Sequence, residues 1–182
     1  MTVSKSTSTS YIKYNTEPGG KKMRDCILVI GAHPDDELLG TAGTLKRFVD
    51  EGHQVISIVV ALGRKEEAHH IQELGKLANK QLGIDEVIFL GHPNLELESI
   101  PLHLLTKEIE KLIEKYKRSK IFTHHYGELN IDQQITFKAV LTATRPLPNK
   151  EPIELITFET VSSSEWNAST SDNLFKPNYF VD

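Results

Sequence analysis

Within five residues the chain gathers one imidazole and three carboxylates, His33, Asp35, Asp36 and Glu37, with Pro34 inside the run. In a cleft such a group repels and desolvates at high cost unless a cation or hydrogen-bond donors compensate it. A divalent metal is the simplest compensation. His33 offers a borderline nitrogen ligand and Asp36 a hard oxygen, a mixture that suits zinc and leaves positions for water. Asp35 could then take a proton from that water, whose pKa a metal lowers toward about 7. Glu37 fits as a cap or a packed group at a helix start, where negative charge is favoured. The same residues also fit a solvated acidic first turn, and both readings stay open here.

The elements that must position this run are legible as an alternation. Cys26–Gly31 (CILVIG) is an apolar, β-branched run that predicts a strand buried on both faces of a parallel sheet. The polar run follows at once, where an open parallel sheet binds ligands. A helix is expected over Leu38–Glu51, a strand over Val55–Ala61, a helix over Glu66–Gln81 and a strand over Glu86–Leu90, which ends at Gly91-His92-Pro93. Leu102, Leu105, Ile109, Leu112, Ile113 and Tyr116 mark one face of a third helix before a strand at Lys120–Thr123. After a polar loop, Asp132 is read as the cap of a helix to about Thr144, stopped by Arg145-Pro146-Leu147-Pro148. Ile153–Thr160 is the fifth strand. Strand and helix in regular turn predict an α/β, Rossmann-like three-layer sandwich with a mostly parallel sheet.

Composition excludes several classes. With 182 residues, 38% hydrophobic and 25% charged, the chain fits one ordinary globular domain, and a formal charge of −4 provides no basic field for nucleic acid. Cys26, the only cysteine, is read as a small hydrophobe and rules out an internal disulfide or a thiolate metal cage. No apolar stretch is long enough for a transmembrane segment, and residues 1–25 lack the apolar middle of a signal peptide, so a cytoplasmic location is expected. Residues 1–24, rich in Ser and Thr, are read as a disordered tail, and 25–182 as the domain. The close at Phe180-Val181-Asp182 reads as the approach to another strand, hence as a chain truncated at its C-terminus. Nucleotide binding is disfavoured because no G-x-G-x-x-G cradle opens a helix. His69 and His70 are adjacent on an expected helix and so diverge.

Ala32-His33-Pro34-Asp35-Asp36-Glu37 after an apolar strand resembles the signature of the PIG-L/LmbE-like deacetylase family. The likeness continues through Phe89-Leu90-Gly91-His92-Pro93, Thr123-His124-His125, Glu128-Leu129-Asn130-Ile131-Asp132 and Thr142-Ala143-Thr144-Arg145-Pro146. It covers about residues 25 to 182. The resemblance implies a Rossmann-like fold and a zinc-dependent hydrolase (Zn2+ or another divalent metal) that removes acetyl groups from N-acetylglucosamine-type sugars or glycoconjugates. Carried over, it makes His33 and Asp36 metal ligands and Asp35 the general base. The implied partner is a small N-acetylated sugar, with a homo-oligomer left open.

Two positions depart from the family pattern. Gln133 stands where the resemblance puts a third ligand, a histidine, and a neutral amide oxygen suits zinc less well. This raises an alternative, a catalytically impaired paralogue that binds sugar without turnover. His124 and His125 are read mainly as polar or hydrogen-bonding residues of the loop, and secondarily as replacements for the missing ligand. Asn94 stands where many relatives carry an aspartate facing the sugar, and is read equally as a turn residue.

Overall fold

The computed structural model describes residues 25–63, 66–117, 120–148, 150–161, 163–167 and 172–181. The expected N-terminal tail, residues 1–24, lies outside the described residues. Five parallel strands form one sheet in the order β3-β2-β1-β4-β5, with β1 at Cys26–Gly31, β2 at Gln54–Leu62, β3 at Glu86–Pro93, β4 at Lys120–His124 and β5 at Glu154–Phe158. Helices α1 (Asp36–Asp50), α2 (Ala68–Leu82), α3 (Leu102–Tyr116) and α4 (Ile131–Ala143) complete the alternation.

The apolar runs become strands because both of their faces are covered. Leu28, Ile30, Ile56, Ile58 and Ile121 pack with Leu105 and Ile109 of α3 and Val140 of α4. Ile27, Val29, Val55 and Phe122 point the other way, to Leu45 and Phe48 of α1. Three layers result, as period-2 strands between amphipathic helices require. Gly40 lets α1 approach β5, since a Cβ there would lie 2.3 Å from the Phe158 ring.

Strand order reverses between β1 and its two neighbours: the chain runs from β1 outward to β3, then returns to place β4 on the other side of β1. The carboxyl ends of β1 and β4 therefore flank the crevice at which such sheets bind ligands. His33–Glu37 leaves β1 and His124–Asp132 leaves β4, so two segments nearly a hundred residues apart meet there.

Several boundaries differ from the sequence expectation. The helix after β1 begins at Asp36 rather than Leu38, so Asp36 and Glu37 belong to its first turn. β3 runs on to Pro93 because a bulge inserts one extra residue between the pairs Val59↔Phe89 and Ala61↔His92, at Gly91 with φ +81°. Asn130, not Asp132, caps α4, its side-chain oxygen accepting the Asp132 N–H at 2.9 Å. Cys26 is half-buried rather than buried. No strand forms at Phe180-Val181; the described part of that segment is irregular, with Phe175 against the His125 ring and Tyr179 against Phe122. Among the described residues no helix is long and apolar enough to cross a membrane.

Truncating a strand residue that touches the α3 and α4 layer tests this packing. Leu28→Ala is expected to lower stability by about 2–5 kcal/mol, read from urea unfolding midpoints, because a fully buried side chain leaves a cavity. A loss under about 1 kcal/mol would contradict the two-sided burial of β1.

Candidate active site

Asp36 is the centre of the cluster. It is 3% exposed, in the first turn of α1. Its Oδ2 accepts the backbone N–H of His33 at 2.7 Å and lies 3.5 Å from His33 Nδ1 and 3.1 Å from His124 Nε2. Its Oδ1 accepts from the amide Nε2 of Gln133 at 2.8 Å. His124 Nε2 also lies 2.9 Å from the Ala32 N–H. One nitrogen serves both only in alternation, donating to Asp36 when protonated and accepting from Ala32 when not. The charge-assisted bond to a buried carboxylate is the stronger.

His33 is tied by its other nitrogen: Nε2 is 3.1 Å from Asp132 Oδ2. Asp132 accepts the backbone N–H groups of Leu95 at 2.6 Å and Leu97 at 3.1 Å as well. With Asn130 as the cap, the Asp132 carboxylate is free to join α4, the His33 ring and the loop after β3. Sequence reasoning gave Asp132 the wrong duty. Its signal was its place beside Gln133, but its partners lie far away in the chain.

Of the two readings left open for the acidic run, the solvated first turn is not what forms at Asp36 and Glu37, although Asp35 is exposed. Asp36 and Glu37 both face inward, Glu37 at 1% exposure with its Oε1 accepting from Asn79 Nδ2 of α2 at 2.7 Å. His124 is the last residue of β4, fully buried, with Nδ1 3.2 Å from Thr160 Oγ1. His125 turns away, its Nε2 3.0 Å from the Asn173 carbonyl, so it does not join the cluster. His69 and His70 are exposed on α2.

His33, Asp35, Asn94 and Asn130 are the polar residues that line a cavity of about 640 Å³. Asn94 Oδ1 is buried with no hydrogen-bond partner among the described residues.

The expected metal at His33, Asp36 and Gln133 can be tested on the donor set. Gln133 points a donor, its NH2, at Asp36, while its Oε1 accepts from Ser163 Oγ at 2.6 Å. Turning the amide over would set two acceptors, Oε1 and Asp36 Oδ1, against each other. Only two ligands, His33 and Asp36, remain as the side chains stand, and among the described residues no three His, Cys, Asp or Glu side chains converge as a metal site. This arrangement does not fit a three-ligand zinc centre. Ser163, which sequence reasoning did not single out, secures the amide from thirty residues downstream.

The charges follow from these contacts. Burial disfavours a charged His33, but hydrogen bonds to Asp132 and Asp36 outweigh it and push the imidazole up to about 9. Burial also opposes charge on Asp36, yet His124 and His33 hold it well below the usual carboxylate range, and His33 with two backbone N–H groups lowers Asp132 in the same way. Asp35 is exposed, yet partial desolvation and the neighbouring Asp36 charge raise it. Glu37 is pushed up to about 7, chiefly by burial, and its Oε2 has no partner among the described residues, as suits a neutral acid.

These shifts fix a pH profile. The raised groups stabilise the fold fully below their ordinary values of 4.5 for Glu37 and 6.5 for His33, and lose that contribution as pH rises through about 7 and about 9. The lowered Asp36 and Asp132 stabilise it above 3.8 and lose this as pH falls further. Stability is expected to peak near pH 4, by roughly this balance, and to decline toward pH 9. In Glu37→Gln the decline between about pH 4.5 and 7 flattens, by the order of 2–3 kcal/mol. Denaturant midpoints across pH read this, and an unchanged slope in the variant would contradict the neutral Glu37.

Comparison with known proteins agrees with this fold. The chain is 26% identical over 147 residues to the uncharacterized deacetylase YaiS of Escherichia coli K12, covering 77% of this chain and 76% of that protein. It is 28% identical over 140 residues to a protein of Bacillus cereus named probable N-acetyl-alpha-D-glucosaminyl L-malate deacetylase 2, covering 69% of this chain but 63% of that one. The N,N'-diacetylchitobiose deacetylase structure from Pyrococcus horikoshii superposes with a TM-score of 0.64 at 19% identity, over 75% of this chain and 61% of that chain, a likeness of fold. The family model described as PIG-L: GlcNAc-PI de-N-acetylase matches residues 28–144, nearly two thirds of the sequence and both halves of the crevice, and the chain belongs to that family.

Proposed function

We propose that the cavity takes an N-acetylated amino sugar or a small glycoconjugate of one, and that the chain is a hydrolase that removes the acetyl group, working in the cytoplasm. The observation that carries this is that His33, Asp35, Asn94 and Asn130 line one cavity, in a chain whose family is one of de-N-acetylases. Asp35, exposed yet raised by partial desolvation and the Asp36 charge, is the base that takes a proton from water and returns it to the leaving amine. His33, fixed between Asp36 and Asp132, lines the cavity with Asp35 and orients the acetamide there. The Asn94 amide, in the lining of the same cavity, bonds a sugar hydroxyl.

One observation favours a second reading within the same family. The NH2 of Gln133, fixed by Ser163, faces Asp36 in place of a third ligand for zinc or another divalent metal, which supports a paralogue that binds the sugar with impaired turnover.

Acetate release from N-acetylglucosamine derivatives, measured beside ligand-observed NMR binding, tests both. Wild type is expected to bind and to release acetate slowly, and Asp35→Asn to cut release by about 10²–10⁴-fold, the usual worth of a positioned acid or base. Sugar binding without acetate release would leave the second reading standing, and neither binding nor release would overturn the proposal. Gln133→His should raise zinc uptake, measured by metal analysis of the purified protein, because imidazole replaces a donor with an acceptor.

A further inference from the structure

The cavity also has an apolar wall. Leu38 of α1, Ile71, Leu74 and Ala78 of α2, and Leu95 in the loop after β3 are part of its lining. Leu74 is 51% exposed and Leu95 68% exposed. A single exposed leucine needs no explanation. Two of them facing one cavity beside a buried polar cluster are a different matter, because their apolar surface is continuous with a ligand site.

Leu95 carries a second peculiarity. Its φ is +59°, left-handed backbone that a leucine side chain disfavours and that glycine or asparagine would take more readily. What holds it there is the Leu95 N–H bond to Asp132 Oδ2 at 2.6 Å, and the same oxygen lies 3.1 Å from His33 Nε2. The apolar Leu95 and the polar His33 are thus registered to each other through one carboxylate. A strained residue fixed at the mouth of a site is a reason to look for what it touches there.

We propose that the cavity is bipartite and that its ligand is an amino sugar bearing an apolar aglycone, with the acetamide and sugar at His33, Asp35 and Asn94 and the aglycone along Leu74, Ile71 and Leu95. This rests on the N-acetylated-sugar reading above and narrows it. A sugar linked to another sugar or to a polyol would set hydroxyls against this wall and leave them without partners. An apolar group there removes hydrocarbon from water on both sides, worth about fourfold in affinity per fully covered methylene and less on an open wall.

The experiment compares dissociation constants of methyl and benzyl N-acetylglucosaminides, each as α and β anomer, and of benzyl glucoside, which lacks the acetamide, using calorimetry on the full chain. One benzyl N-acetylglucosaminide is expected to bind about tenfold or more tighter than its methyl counterpart, the gain that a few covered carbons give. In Leu74→Gln and in Leu95→Asn, substitutions suited to an exposed helix position and to left-handed backbone, the benzyl-to-methyl ratio is expected to fall toward one. Equal binding of methyl and benzyl N-acetylglucosaminides would overturn the bipartite cavity and leave the sugar reading intact. Benzyl glucoside binding as tightly as benzyl N-acetylglucosaminide would also overturn it, by reducing the wall to apolar adsorption. Failure of every glycoside to bind would overturn the sugar reading and this inference with it.

Discussion

A carboxylate taken out of water at the start of α1 sets the terms for the rest of this molecule. Asp36 cannot stay charged in that position unless donors reach it, since burying an uncompensated charge costs several kcal/mol or more. Its compensation comes from three directions: the His33 backbone and ring from its own turn, the His124 ring from the end of β4, and the Gln133 amide from α4. These donors belong to the two segments that leave the sheet at its switch point. The strand order that puts β4 beside β1 is therefore what makes the buried charge tolerable.

Asp132 extends this cluster outward. By accepting from Leu95 and Leu97 and holding His33 it couples the loop after β3 to the cluster, and Asn130 makes that arrangement affordable in local terms by capping α4 itself. Glu37 solves the same burial problem in the opposite way: with one oxygen on Asn79 and the other without a partner, it stays protonated up to about pH 7. Two neighbouring acids thus differ in charge because one is met by imidazoles and an amide and the other by a single amide. The cavity they border is polar where these groups surface and apolar along α2, a division set by which face of α2 turns toward the crevice.

Much of this was legible in the sequence. The apolar, β-branched runs named all five strands, and the resemblance of Ala32–Glu37 to a deacetylase signature pointed to the segment that forms the cluster. What escaped was long-range. β3 looked finished at Gly91-His92-Pro93 because Gly and Pro signal a turn, whereas pairing with Ala61 and Leu62 across a bulge carries it on. Asp132 looked like a cap because its real partners lie 35, 37 and 99 residues away. Gln133 could be read as a weak ligand from its side-chain oxygen, but which end of the amide faces Asp36 is decided by Ser163, thirty residues on. Residue types and spacing state what a side chain can do; its partners decide which of those it does.

Neutron diffraction from crystals of the wild-type chain grown at neutral pH bears most directly on the claim that the chain's own donors satisfy Asp36. The account predicts two deuterons on the Gln133 atom that faces Asp36 Oδ1, none on the atom that faces Ser163 Oγ, and deuterons on both nitrogens of His33. An oxygen of Gln133 turned to Asp36, with a cation between them and His33 lacking the deuteron on the nitrogen nearest Asp36, would contradict it.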